Sequence, residues 1–279
     1  MTFNCLFTVL TDANLVDEVM THAIAMAEAH DAHLDVLCLG VDRSQTGYYY
    51  AGASAIVLQE AITRAQEEAE EIEALARKRL DATTIRWALD AGVSQLADLG
   101  RHVSARARFS DLVILPQPYG EGRGAELEQV TESALFEGRT PVLVAPAGAA
   151  PVPKPRRILL AWNESSEALG AARAALPLLR TAESVHVVVI DPPTHGPNRS
   201  DPGGLVSQYL ARHGVKVEID VLSKTLPRVS DVLLRHVGDM DADMVVMGAY
   251  GHSRFREAIF GGATRYMLEQ ATVPTFMAH

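Results

Sequence analysis

The sequence predicts two tandem doubly wound α/β domains, each built on a five-stranded parallel, Rossmann-like sheet. Three observations carry this expectation. Short apolar runs of strand length alternate with segments of helical period along all 279 residues. Runs such as "HVVVI" and "MVVMG" are apolar on both faces, as in a parallel sheet covered by helices on each side. The two halves also repeat: "SDLVILP" then "TPVLVAP" closes the first, and "ADMVVMG" then "VPTFMAH" closes the second. Thr131 matches Thr264, Leu135 matches Leu268 and Pro141 matches Pro274 at an offset of 133, with Asp111 matching Asp243 at 132.

In the first half the periodicity gives strand 4–10, helix 13–30, strand 33–39, helix 57–80, strand 83–88, helix 93–106, strand 111–115, helix 125–137 and strand 141–145. The second half reads strand 157–162, helix 165–180, strand 185–190, helix 204–213, strand 216–222, helix 227–238, strand 243–247, helix 262–270 and strand 273–278. Between them "PAGAAPVPKP", Pro146 to Pro155, interrupts both helix and strand. The expected domains are therefore 1–148 and 156–279, joined by a linker at 149–155. The irregular stretches "GVDRSQTGYYYAGAS" and "PPTHGPNRSDPGG" each follow the second strand of their half, near the carboxyl edge where ligands bind in such sheets.

Composition narrows the function. The net charge of −10 is uneven: residues 1–150 hold 11 Lys+Arg against 22 Asp+Glu, and residues 151–279 hold 14 against 13. Neither half carries the basic stripe of a nucleic-acid binder, and the acidic first half repels polyanions. Much of that acid is "EEAEEIE", Glu67 to Glu73, read as the solvated face of a long helix. No apolar run approaches the ~20 residues needed to span a bilayer, and no membrane association is expected. The opening "MTFNCLFTVLTDANLVDEV" has neither the basic segment nor the cleavage site of a signal peptide. Cys5 and Cys38 lie in apolar runs and read as buried reduced thiols, so the expected location is cytoplasmic.

The densest signal is "MGAYGHSRFREAIFGGATRYML", Met247 to Leu268. Met244 to Met247 ends a buried strand, after which Gly248 and Gly251 let backbone amides approach a ligand closely. Gly261 and Gly262 then lead into a helix N-terminus, where N–H groups and the helix dipole favour an anion. Tight turns alone are the other reading of these glycines. The first half has Pro116, Tyr119, Glu128 and Gln129 at the four matching places, a difference that shared packing demands would not produce.

"GAYGHSRFREAIFGG" resembles the Gly-x2-Gly-x9-Gly-(Ser/Thr/Asn) loop of the universal stress protein family, except at its last position. With the preceding Asp243 to Met247 and the closing "ATVPTFMAH", the resemblance covers nearly the whole chain. It implies a tandem universal stress protein, a stress-response protein whose second domain binds an adenine nucleotide, ATP with or without Mg2+. In that family the adenine meets the end of the first strand, here backbone near Ala161 and an Asp at the position of Asn163. Val189 would pack on base or ribose. Met247, Gly248, Gly251, Gly261, Gly262 and Ala263 would line the ribose and phosphate site, with His252 and Arg254 near the triphosphate. Two positions depart from the pattern: Asn163 keeps an acceptor without the charge, and Gly262 replaces the hydroxyl residue. Asn163 also reads as a helix N-cap, and Arg254 and Arg256 as solvated loop charges. The first half keeps Asp12 at the adenine position. Pro116 there lacks a wanted N–H and Glu128 would place a carboxylate near phosphates, so that site is expected to be lost.

Other classes fit less well. "GHSRF" resembles the nucleophile elbow of α/β hydrolases, but Phe255 stands at its final glycine. A dinucleotide dehydrogenase needs Gly-x-Gly-x-x-Gly after the first strand, and "AWNESSE" has none. No residue stands out as a base for water, so no enzyme activity beyond slow ATP hydrolysis is expected. The alternative function is an interaction or scaffold protein of the same fold with no nucleotide. Finally, the closing strands are expected to pair antiparallel through Val142–Val144 and Thr275–Met277, making an intrachain pseudo-dimer. Two chains are further expected to associate as a homodimer.

Overall fold

The computed structural model describes residues 2–43, 55–192, 201–249 and 262–279. The chain divides into two compact units, Phe3–Thr140 and Pro141–His279 with the extreme N-terminus.

In the first unit the elements run β1 (Cys5–Leu10), α1 (Val16–His30), β2 (His33–Asp42), α2 (Ala55–Leu80), β3 (Arg86–Gln95), α3 (Leu99–Ala107), β4 (Leu112–Pro116) and α4 (Ala125–Glu132), which continues as π-type turns through Ser133–Glu137. The strand order is β3-β2-β1-β4, all parallel. Apolar residues from β1, β2 and β4 are almost wholly buried, as parallel strands between helical layers must be. Gly40 shows how close the layers come: a Cβ there would lie 1.7 Å from the Ala65 carbonyl oxygen of α2. The start of β1 is pinned by Asp111, whose Oδ2 accepts hydrogen bonds from the Asn4 and Cys5 amides at 2.7 and 3.0 Å.

The second unit begins with β5 (Val142–Ala145) and continues β6 (Arg157–Ala161), α5 (Ser166–Ala174), β7 (Ser184–Ile190), α6 (Gly204–Arg212), β8 (Val217–Leu222), α7 (Val229–Asp239), β9 (Met244–Gly248), α8 (Ala263–Gln270) and β10 (Thr275–Ala278). Its strand order is β5-β10-β9-β6-β7-β8. The central order β9-β6-β7-β8 reverses around β6 as β4-β1-β2-β3 does around β1. β5 and β10 pair antiparallel, with Thr275 opposite Val144, Phe276 opposite Leu143 and Met277 opposite Val142. Asp243 repeats the role of Asp111: its carboxylate accepts from the Arg156 amide at 3.1 and 2.9 Å and from the Arg157 amide at 3.1 Å.

Two expected elements differ. The helix expected over 165–180 breaks at Ala175 and resumes as the short turn Leu176–Leu179, because Pro177 cannot supply a helical N–H. The strand expected at 83–88 instead runs Arg86–Gln95, displacing the start of the helix expected at 93. β3 is paired in register with the long β2 as far as Asp42 opposite Gln95, and this pairing sets its extent.

Candidate functional site

β1 in the first unit and β6 in the second each have the next strand in sequence on one side and a later strand on the other, which opens a crevice at the carboxyl end. In the second unit that crevice lies between β6 and β9. Their register, Leu160 opposite Val246, brings Ala161 and Met247 side by side at the strand ends. Trp162 extends the strand by donating its amide to the Val188 carbonyl at 2.9 Å.

Asn163 follows at the surface. Its Oδ1 accepts from the Ser165 amide at 3.2 Å, and the cap of α5 is Ser165, whose Oγ accepts from the Ala168 amide at 3.1 Å. Asn163 therefore makes a turn one step ahead of the helix rather than capping it. In the first half Asp12 Oδ1 likewise accepts from the amide two residues on, that of Asn14 at 2.9 Å, but there it caps the 3₁₀ turn Ala13–Leu15 directly. The two aligned residues share that hydrogen bond but not the backbone that follows: Glu164 is left-handed at φ 63°, whereas Ala13 opens a 3₁₀ turn.

Gly248 ends β9 directly beneath the first turn of α5. A Cβ on it would lie 2.5 Å from the Ala168 nitrogen and 2.6 Å from the Glu167 carbonyl carbon. Packing alone thus demands glycine here, a cause that comparing the two halves in sequence did not reveal. Glu167 is held below the ordinary carboxyl range, first by its own backbone N–H, with further help from the Ser166 and Ser165 hydroxyls and the charge of His279. Val189 is buried, and its Cγ2 lies 3.4 Å from where a Gly203 Cβ would stand. It packs under the start of α6.

Gly262 is the cap of α8, in extended backbone, followed by Ala263 on the surface. A glycine cap offers no side-chain acceptor, and the first turn of α8 contains no acidic residue. The positive end of its dipole is therefore not neutralised from within that turn. Ala161, Asn163, Met247 and Gly248 are brought to one sheet edge, with Gly262 and Ala263 at the start of the helix that follows β9. Gly251, His252, Arg254 and Gly261 lie outside the described residues.

The matching region of the first half is built differently. α4 begins at Ala125, so Gln129, aligned with the cap Gly262, lies inside a helix already formed. The carboxylate expected to oppose phosphate there was that of Glu128. Instead Glu128 accepts a hydrogen bond from Tyr119, and Glu126 occupies the helix start.

One polar cluster was not legible in the sequence. Oδ2 of Asp220 on β8 accepts from His186 Nδ1 on β7 at 3.0 Å and from His236 Nε2 on α7 at 2.8 Å. All three side chains are at least three-quarters buried. Their sequence separation of up to 50 residues hides the contact until β7 and β8 pair. Among the described residues no group of His, Cys, Asp and Glu has the arrangement of a metal site, and no described helix is long and apolar enough to cross a membrane.

Comparison with known proteins agrees with the architecture. Residues 154–279 match the model of the universal stress protein family. A universal stress protein from Synechocystis sp. is 27% identical over 160 residues, 54% of this chain; the match spans only 50% of that relative. Among solved structures, a universal stress protein from Archaeoglobus fulgidus aligns over 99% of this chain and 98% of its own, with a TM-score of 0.67 at 14% identity. A putative universal stress protein from Pseudomonas aeruginosa aligns over 99% and 93%, with a TM-score of 0.59 at 13% identity. At those identities the structural likeness concerns the fold alone. Residues 154–279 thus match the universal stress protein family, and the likeness in fold extends over the whole chain.

Proposed function

We propose that this protein is a tandem universal stress protein of the cytoplasm whose second half binds one adenine nucleotide, ATP, at the carboxyl ends of β6 and β9. One observation carries the reading. The helix that follows β9 starts at a glycine cap with no carboxylate in its first turn, whereas α4 in the first half has Glu126 and Glu128 there. A helix start of the former kind suits phosphate oxygens. In this reading the base would lie against Ala161 and Asn163 at the end of β6. Gly262 contributes a backbone amide in place of a hydroxyl donor. ATP would bring its own phosphate charge and its Mg2+ to the site, and the chain's part is to orient the nucleotide.

A second reading, an interaction protein of this fold without nucleotide, is favoured by two of the same residues. Gly248 has a packing reason to be glycine, and the Asn163 carboxamide is engaged in its own turn. Equilibrium dialysis of the full chain against labelled ATP separates the two. Retention of one equivalent that excess unlabelled ATP displaces supports nucleotide binding. No retention of ATP, ADP or AMP at millimolar concentration supports the scaffold.

A further inference from the structure

The first half carries an arrangement that its loss of glycines does not require. The Glu126 carboxylate folds back over the cap of α4: a Cβ on Gly124 would lie 2.4 Å from both of its oxygens. Its side chain is 7% exposed, and Oε1 accepts a 2.7 Å hydrogen bond from Arg43 Nη2. Arg43 directly follows β2. Its Nη1 donates to both oxygens of Glu68 on α2 at 3.2 and 3.1 Å, and to the Val41 carbonyl at 3.3 Å. Burial works against the Arg43 charge, but the bonds to Glu126 and Glu68 outweigh it and hold the guanidinium more firmly protonated than usual.

Two more contacts tie the same loop. Arg123, immediately before the cap, donates through Nη2 to the Glu18 carboxylate of α1 at 3.1 and 3.3 Å. Its side chain is 8% exposed, and its Nη1 is buried without a hydrogen-bond partner. Tyr119 closes the loop onto Glu128 at 2.9 Å.

We propose that Glu126 is an internal occupant of the first half: its carboxylate takes the place of a bound anion at the start of α4, and Arg43 clamps it to the end of β2. The contact is autoinhibitory. A helix start favours one negative charge, and this one is already satisfied by a group that cannot diffuse away. A phosphate arriving there would sit beside a buried carboxylate, and like charges at short range oppose it. Nothing in this inference depends on what the second half binds.

The test is amide hydrogen exchange of residues 125–129 in the full-length protein, with inorganic phosphate against chloride at matched ionic strength. In the unmodified chain phosphate leaves these amides unchanged. In Glu126→Gln, and in Glu126→Ala, phosphate at ten times the dissociation constant measured for that variant slows them about tenfold. Protection of α4 by phosphate in the unmodified chain overturns the proposal. So does a folded pair of variants with no phosphate response. If neither variant folds, Arg43→Gln decides, because it releases the clamp and keeps the charge. Exchange of residues 117–129 then rises several-fold while phosphate still gives no protection, and phosphate protection in that variant contradicts the account.

Discussion

The Tyr119 hydroxyl donates a 2.9 Å hydrogen bond to Glu128 Oε1 across the loop between β4 and α4. In the aligned sequence these two positions are Gly251 and Gly261 of the second half. The first half thus links by side chains two positions at which the second half has glycine. α4 also starts earlier in the alignment than α8, so the first half offers no helix start where the second has Gly262. The difference between the halves is thus one of both loop chemistry and helix register.

Gly248→Ala is expected to destabilise the protein by about 1–3 kcal/mol with or without nucleotide. The new methyl must displace backbone at Glu167 and Ala168 rather than a flexible side chain. Urea unfolding followed by circular dichroism measures it. Gly261→Val is expected to leave the unfolding midpoint near that of the unmodified protein and remove ATP binding.

Asp243→Ala is expected to cost about 1–2 kcal/mol, because the Arg156 and Arg157 amides at the start of β6 lose a charged acceptor. Asp111→Ala should cost a similar amount in the first half, where the Asn4 and Cys5 amides are held the same way. Neither change should alter nucleotide affinity, since both act at the amino ends of the strands. Chemical denaturation and ATP titration of the same samples check both statements.

Most of the fold was legible because parallel strands between helices leave an unambiguous apolar signature, as in Leu112–Pro116 and Met244–Gly248. β3 was misplaced because an edge strand alternates weakly and takes its extent from β2, which no local window contains. At the site, the strand-end positions of Ala161 and Met247 followed directly from the pattern. The roles of Gly248 and Glu126 did not, since each depends on which segment packs against it. The Asp220 cluster was invisible for the same reason: three single polar residues on separate elements form no motif.

Cys38 is fully buried, and burial, assisted by the charge of Glu73, pushes its thiol up to about 12. A thiol raised in the folded state stays neutral there while the unfolded chain ionises. Stability from this group is therefore intact below pH 9 and is lost as pH rises from about 9 towards 12. At pH 8 a thiol reagent should leave Cys38 unmodified in the native protein and label it on unfolding in guanidinium. Peptide mapping after labelling distinguishes it from Cys5.

A fragment of residues 156–279 lacks β5 and so exposes the edge of β10 that Val142–Val144 covers in the full chain. An unpaired apolar edge recruits another strand. The fragment is expected to self-associate through that edge. Sedimentation velocity across a concentration series measures it; a folded, monomeric fragment would count against the edge argument.

The central claim is a single nucleotide site in the second half, and the stoichiometry of ATP binding to the full-length protein tests it most directly. Isothermal titration calorimetry in the presence of Mg2+ should give one ATP per chain, falling to none in Gly261→Val and remaining one in Glu128→Ala. Zero in the unmodified protein would contradict nucleotide binding, and two would contradict the asymmetry between the halves.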